Sequence, residues 1–197
     1  MQEFRFLVVS GTREMTGPAL RALREDLIRL AGGFTEIEAP HGLRFIVGLA
    51  GRDAKERVRR LVASWRARGI GARLEDRRRS TVRDEIYFLL PLQCNPDRSG
   101  RPRRPLFTNE DLADLRMRLA TQFHFRPEMV RVYGEWRDDE ERLIPDVSFL
   151  IRVPRRGPGT VPALRNFLKR HILANPRCDQ DCLYLSNRWR GEHVRPG

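Results

Sequence analysis

Lysine is nearly absent from this chain. Lys55 and Lys169 are the two among 197 residues, although Lys and Arg together number 38. The positive charge is therefore almost all arginine, whose planar guanidinium grips phosphate or carboxylate at two points where an ammonium offers a point charge. Cysteine is scarce as well. Cys94, Cys178 and Cys182 are odd in number and irregular in spacing, which excludes the disulfide framework of a small secreted domain. No apolar run approaches the ~20 residues of a membrane-spanning helix. The opening Met-Gln-Glu-Phe-Arg-Phe-Leu-Val-Val-Ser has neither a basic leader nor a small-residue cleavage site, so it does not read as a signal peptide. A cytoplasmic protein with no membrane partner is expected. Gly-x-Gly-x-x-Gly, the Walker loop, Gly-x-Ser-x-Gly and His-Glu-x-x-His are all missing, which weighs against the commonest nucleotide and hydrolase chemistries.

What the chain does contain is a formal net charge of +12 and enough apolar residues, 40%, for a true core. Such a balance points to an acidic partner, nucleic acid or an acidic protein. The competing reading is a general bias toward arginine with no partner behind it, since 26 acidic residues are interspersed among the basic ones.

Periodicity sets the organisation. Residues 129–137 and 144–153 are alternating apolar runs flanking the charged run 138–142, which is a β-hairpin signal. Residues 4–10, 35–39, 43–49 and 70–74 read as strands. Between them, Leu20, Leu23, Leu27 and Leu30 mark one amphipathic helix, with Thr16 and Pro18 at its start. Val58, Leu61, Val62 and Trp65 mark a second, with Asp53 and Glu56 spaced as in a capping box and Gly69 closing it. The second half repeats the order: a strand at 85–92, a helix capped by Thr108 with Leu112, Leu115, Leu119 and Phe123 inward, the hairpin, a helix with Leu164, Phe167, Leu168 and Ile172 inward, and a strand at 182–186. Each half reads β-α-β-β-α-β, the pattern of a split βαβ sandwich. The expectation is an α+β protein of two tandem ferredoxin-like domains, 1–79 and 84–197, each an antiparallel four-stranded sheet with two helices on one face. The second domain would carry an inserted Arg/Pro-rich loop at 95–105. The uncovered sheet faces would need burying, between the halves or in a homodimer.

On the residues Tyr87-Phe88, Tyr133-Gly134-Glu135-Trp136-Arg137 and 147–153, the second half resembles a group of small bacterial proteins of unknown function, the DUF3574-like proteins. The first half carries only a degenerate form, Gly33-Phe34-Thr35-Glu36 and Gly42-Leu43-Arg44, without the hairpin tryptophan. This resemblance implies a fold and no activity. In architecture alone, tandem domains with a basic surface also resemble the CRISPR RNA-processing endonucleases, which act without metal. Those carry a glycine-rich loop near the C-terminus, from which Arg155-Arg156-Gly157-Pro158-Gly159 departs; His41 would be the candidate acid or base. Paired βαββαβ domains are similar to ACT regulatory modules too, where a glycine after the first strand admits an amino acid; Gly11 and Gly17 occupy that loop.

Among candidate sites, Cys178, Cys182, His171 and His193 have ligand types suited to zinc. Yet Cys182 opens an apolar strand and His171 lies on an apolar stripe, so neither metal nor cofactor is expected. The carboxylates Asp138, Asp139, Glu140 and Glu141 read as a solvated hairpin tip. The basic stretches carry the strongest partner signal. Arg52, Lys55, Arg59 and Arg66 on the second helix, Arg77, Arg78 and Arg79 beyond it, and Arg101, Arg103 and Arg104 in the loop are the expected nucleic-acid contacts. Tyr87, Phe88, Tyr133 and Trp136 are rings that would stack on bases or fill the core. The function expected is that of a non-enzymatic binding module for nucleic acid or another anionic partner.

Overall fold

Four apolar stripes at helical spacing and a series of alternating runs build the chain. A computed structural model describes residues 1–9, 17–39, 42–75, 85–95, 103–137, 140–180, 182–187 and 190–197. The first six elements are β1 (Gln2–Val9), α1 (Gly17–Ala31), β2 (Gly33–Ala39), β3 (Gly42–Leu49), α2 (Ala54–Ala67) and β4 (Gly71–Leu74). They are followed by β5 (Glu85–Pro91), α3 (Asn109–Phe123), β6 (Met129–Arg137), β7 (Leu143–Pro154), α4 (Thr160–Leu168), β8 (Leu183–Asn187) and β9 (Arg190–Val194). A single π turn, Lys169–Leu173, extends α4. Among the described residues no helix is long and apolar enough to cross a membrane.

The chain divides into two compact units. One comprises Met1–Thr81 with Val132–Pro145, the other Val82–Arg131 with Asp146–Gly197. In the first unit the sheet face toward the helices supplies Phe6, Phe34, Phe45 and Val47, and the helices supply Leu23, Leu27, Val58 and Trp65. The rings of Phe6 and Trp65 meet edge to face, centroids 5.5 Å apart. Burying each such side chain contributes about 1.5–3 kcal/mol. The other face of this sheet is also buried at Glu3, Arg5, Ile37 and Ile46, and Arg5 Nε donates to Glu3 Oε1 at 2.8 Å. In the second unit Ile86, Phe88, Ile151 and Leu185 from strands β5, β7 and β8 pack against Leu119, Leu164, Phe167 and Ile172. Helix α3 begins with a capping box: Thr108 Oγ1 accepts from the Asp111 amide, and the Asp111 carboxylate accepts from the Thr108 amide. The capping box expected at Asp53 does not form. Its backbone is already helical, so its carboxylate cannot turn back onto the amides one turn on.

The expectation of two tandem ferredoxin-like sandwiches with open four-stranded sheets is overturned by the strand pairing. Hydrogen bonding runs β3-β2-β6-β7-β5-β8-β9-β1-β4, with β3 also pairing onto β1, and does not fall into two separate four-stranded sheets. Within the first unit, β6 joins the edge of β2 in antiparallel register, Gly33 opposite Trp136 and Thr35 opposite Gly134. Within the second, β8 takes the additional strand β9, Leu183 opposite Val194. The physical reason is edge satisfaction. An open four-stranded sheet leaves a row of unpaired amides and carbonyls on each outer strand, and pairing those edges removes the exposure. Alternation of apolar residues specifies strands and faces but says nothing of which edges meet.

Two glycines permit the β2–β6 contact. A Cβ built on Gly33 would lie 2.8 Å from the Glu135 carbonyl oxygen, and one on Gly134 would lie 2.9 Å from that of Phe34. Both obstacles are backbone atoms that cannot swing aside. Gly134→Ala is therefore expected to destabilise the protein by about 1–3 kcal/mol. Urea unfolding measures this directly, and an unchanged midpoint and slope would contradict the role given to Gly134.

Candidate nucleic-acid interface

Helix α2 buries Ala54, Val58, Val62 and Trp65. Its end is fixed by Gly69 at φ +78°, where the Gly69 amide donates to the Arg66 carbonyl and the Ile70 amide to that of Trp65. This paired closure needs a left-handed residue, which glycine supplies without strain. At about 100° per residue, Lys55, Arg59 and Arg66 fall within an arc of about 40° beside the buried face. All three are exposed, and so is Arg52 just ahead of the helix. From Lys55 to Arg66 the stripe is ~16 Å long. Arg66 Nε donates to the Ala72 carbonyl at 2.9 Å, which steadies its stem. Among the described residues none of these four side chains has a carboxylate partner.

Several other arginines of the same unit are engaged, whereas Arg21 on α1 and Arg73 on β4, both exposed, have no carboxylate partner among the described residues. Arg24 forms a forked pair with Glu36 at 2.9 and 3.0 Å, Arg44 pairs with Glu75 at 3.0 Å, and Arg57 donates to the Leu30 carbonyl at 2.7 Å. Arg60 lies 3.9 Å from Glu56, both exposed, a pair of little strength. Asp26 on α1 accepts from Arg29, from Arg68 and, at 2.9 Å, from the Trp65 indole. Burial pushes the Asp26 carboxyl up, but the hydrogen bonds from Arg68, Trp65 and Arg29 outweigh it and hold its pKa below the usual carboxylate value.

Two of the four aromatic rings are closed to a stacking base. Phe88 is wholly buried and Tyr87 is 3% exposed, whereas Trp136 is 38% exposed. Tyr133 has the Arg24 guanidinium 4.9 Å above its ring and donates its hydroxyl to Glu135. Burial and that carboxylate push its pKa up to about 12.

Of the remaining expected contacts, Arg77, Arg78, Arg79 and Arg101 lie outside the described residues, as do His41, Gly11, Asp138 and Asp139. Arg103 and Arg104 belong to the second unit and are used locally. Arg103 Nε donates to the Cys94 carbonyl at 2.6 Å and its Nη2 stands 3.4 Å from Asp146, while Arg104 Nε donates to the Cys94 sulfur at 3.2 Å. Glu140 pairs with Arg142 and Glu141 with Arg137 at the hairpin tip. Gly17 is the first residue of α1. Among the described residues no three His, Cys, Asp or Glu side chains are placed to share a metal ion, so Cys178, Cys182, His171 and His193 do not converge. Burial pushes the Cys178 thiol up. His171 instead lies against Phe167, ring centroids 4.7 Å apart.

Sequence reading missed Asp26. Its spacing to Arg29 is visible as an i,i+3 pair, but its bonds to Trp65 and Arg68 span 39 and 42 residues and leave no local mark. No protein-family model matches the chain, and no curated protein matches it.

Asp26→Asn is expected to cost on the order of 1–3 kcal/mol at neutral pH, the worth of hydrogen bonds to a charged group. Because the folded pKa is depressed, the carboxylate's contribution is fully present above the unfolded value near 3.9 and is lost as pH falls through the lower folded one. Denaturant titrations across that acid range should show the gap between wild type and variant narrowing only below about pH 4. A gap that stays constant there, or that is absent at neutral pH, would contradict the assignment.

Proposed function

We propose that this protein is a binding module that holds nucleic acid along the solvent side of α2, with Arg52, Lys55, Arg59 and Arg66 on the phosphates. The observation that carries the reading is the gathering of cations without carboxylate partners along one helix. Arg5, Arg24, Arg29, Arg44 and Arg68 in the same unit each meet a carboxylate. Arg21 and Arg73 also lack one among the described residues, but each stands singly, on α1 and on β4, whereas Arg52, Lys55, Arg59 and Arg66 follow one helix. Guanidinium and ammonium groups at two-turn and one-turn spacing along a ~16 Å stripe match a run of phosphates better than a single small anion. The reading is of binding without chemistry. A cytoplasmic location belongs to the same proposal and is supported by three cysteines that all remain free thiols.

The test is fluorescence anisotropy with duplex DNA and single-stranded RNA over a salt series. Four phosphate contacts give a log–log slope of roughly −3 to −4 on duplex, and slightly less on a single strand. Lys55→Glu, Arg59→Glu and Arg66→Glu together are expected to weaken binding by well over tenfold and to flatten the slope by about one per charge removed. No binding at low salt, or binding indifferent to the triple change, would overturn the proposal. Capture of an acidic protein in place of either nucleic acid, lost in the same variant, would move the stripe to that partner.

A further inference from the structure

Two exposed arginines of the other unit, Arg116 and Arg126, are absent from the expected contacts. Helix α3 ends at Phe123, and His124 takes the left-handed conformation at φ 52°. The chain turns there, and Phe125 and Met129 dock against the core of this unit. The segment 126–129 so placed forms, with Arg116 of α3, a groove of about 360 Å3 lined by Arg116, Arg126, Pro127, Glu128 and Met129. Arg116 and Arg126 are both exposed, and among the described residues neither has a carboxylate partner. The one acid on the wall, Glu128, is exposed and lies 3.9 Å from the half-buried Arg152, a pair of little strength. The groove is thus lined by two arginines and one carboxylate beside Pro127 and Met129. Planar forks of this kind grip a tetrahedral oxyanion at two points each. The volume lies at the lower end of the range for small-ligand sites.

We propose that this groove binds a phosphoryl group, with Arg116 and Arg126 as its clamp and Pro127 and Met129 as the surface beneath whatever the phosphate carries. The phosphate can belong to a free nucleotide or to a nucleic-acid strand, and both present the same chemistry. The inference is independent of the α2 reading, because it concerns different residues in a different unit.

Calorimetric titration of the full chain with inorganic phosphate, with AMP and with a short single-stranded RNA separates the sources. Expected is saturable binding of at least one probe, weakened about tenfold or more by Arg116→Ala or by Arg126→Ala at an unchanged thermal midpoint. Arg116→Lys, which keeps the charge and loses the fork, should fall between. Equal binding of phosphate and AMP identifies the oxyanion alone as the ligand, and stronger binding of AMP adds the floor. Binding of RNA alone, still weakened by the Arg116 and Arg126 changes when Lys55, Arg59 and Arg66 are already replaced, places a strand in the groove. The proposal is overturned if none of the three probes binds, or if both alanine variants bind as the wild type does. Failure of the α2 proposal would leave the phosphate and AMP results untouched, so the two readings fail separately.

Discussion

One carboxylate, acting with the apolar face of α2, fixes which side of that helix faces outward. Asp26 receives the Trp65 indole and the Arg68 guanidinium from the far end of α2, and Arg29 from its own helix. Trp65 is wholly buried against Phe6, so the rotation of α2 about its axis is set by an apolar contact and a polar one acting together. With Trp65 and Arg68 committed to α1, helix geometry turns Lys55, Arg59 and Arg66 away from that contact. The same interaction thus stabilises the packing of the first unit and sorts its cations into those that are neutralised and those that remain available. Net charge alone does not make that distinction.

A second constraint lies in the sheet. The first unit would end at β2 with an unsatisfied edge if β6 did not reach it, and β6 reaches it because Gly33 and Gly134 present no side chain at the two closest approaches. Around this contact a polar cluster forms. Arg24 from α1 clasps Glu36 of β2 and covers the ring of Tyr133 on β6, whose hydroxyl is held by Glu135. Arg24, Tyr133 and Phe34 therefore serve the strand pairing, and the base-stacking role considered for Tyr133 gives way to a structural one.

Much of the local structure was legible because its causes are local. Leu23 and Leu27, Val58 and Val62, Leu115 and Leu119, and Leu164 and Phe167 are all buried on the faces their spacing marks. Thr108 caps α3, and Gly69 closes α2. What escaped was set by partners distant in sequence. The β2–β6 pairing joins residues about a hundred positions apart, and a strand edge carries no compositional signature. Strand β9 was missed because Arg190 to Val194 is short and polar, with Gly191 kept small under the Tyr184 ring and Glu192 held by Arg165. Of the candidate site, the exposed cations of α2 could be read from helical spacing. That Arg103 and Arg104 would be drawn to the Cys94 carbonyl and sulfur could not, since no pattern announces a loop folding onto its own strand.

The two arginine groups differ in what they can hold. Along α2 the charges are strung out over several turns, suited to a repeating polyanion, whereas Arg116 and Arg126 line one open groove, suited to a single phosphoryl group. The first of these carries the account of function. Its most direct measurement is an amide chemical-shift map of the labelled protein as a short single-stranded RNA is added at low salt. The account requires the largest perturbations at residues 52–66, around the exposed stripe of α2. Saturating shifts that leave those residues unmoved would contradict it.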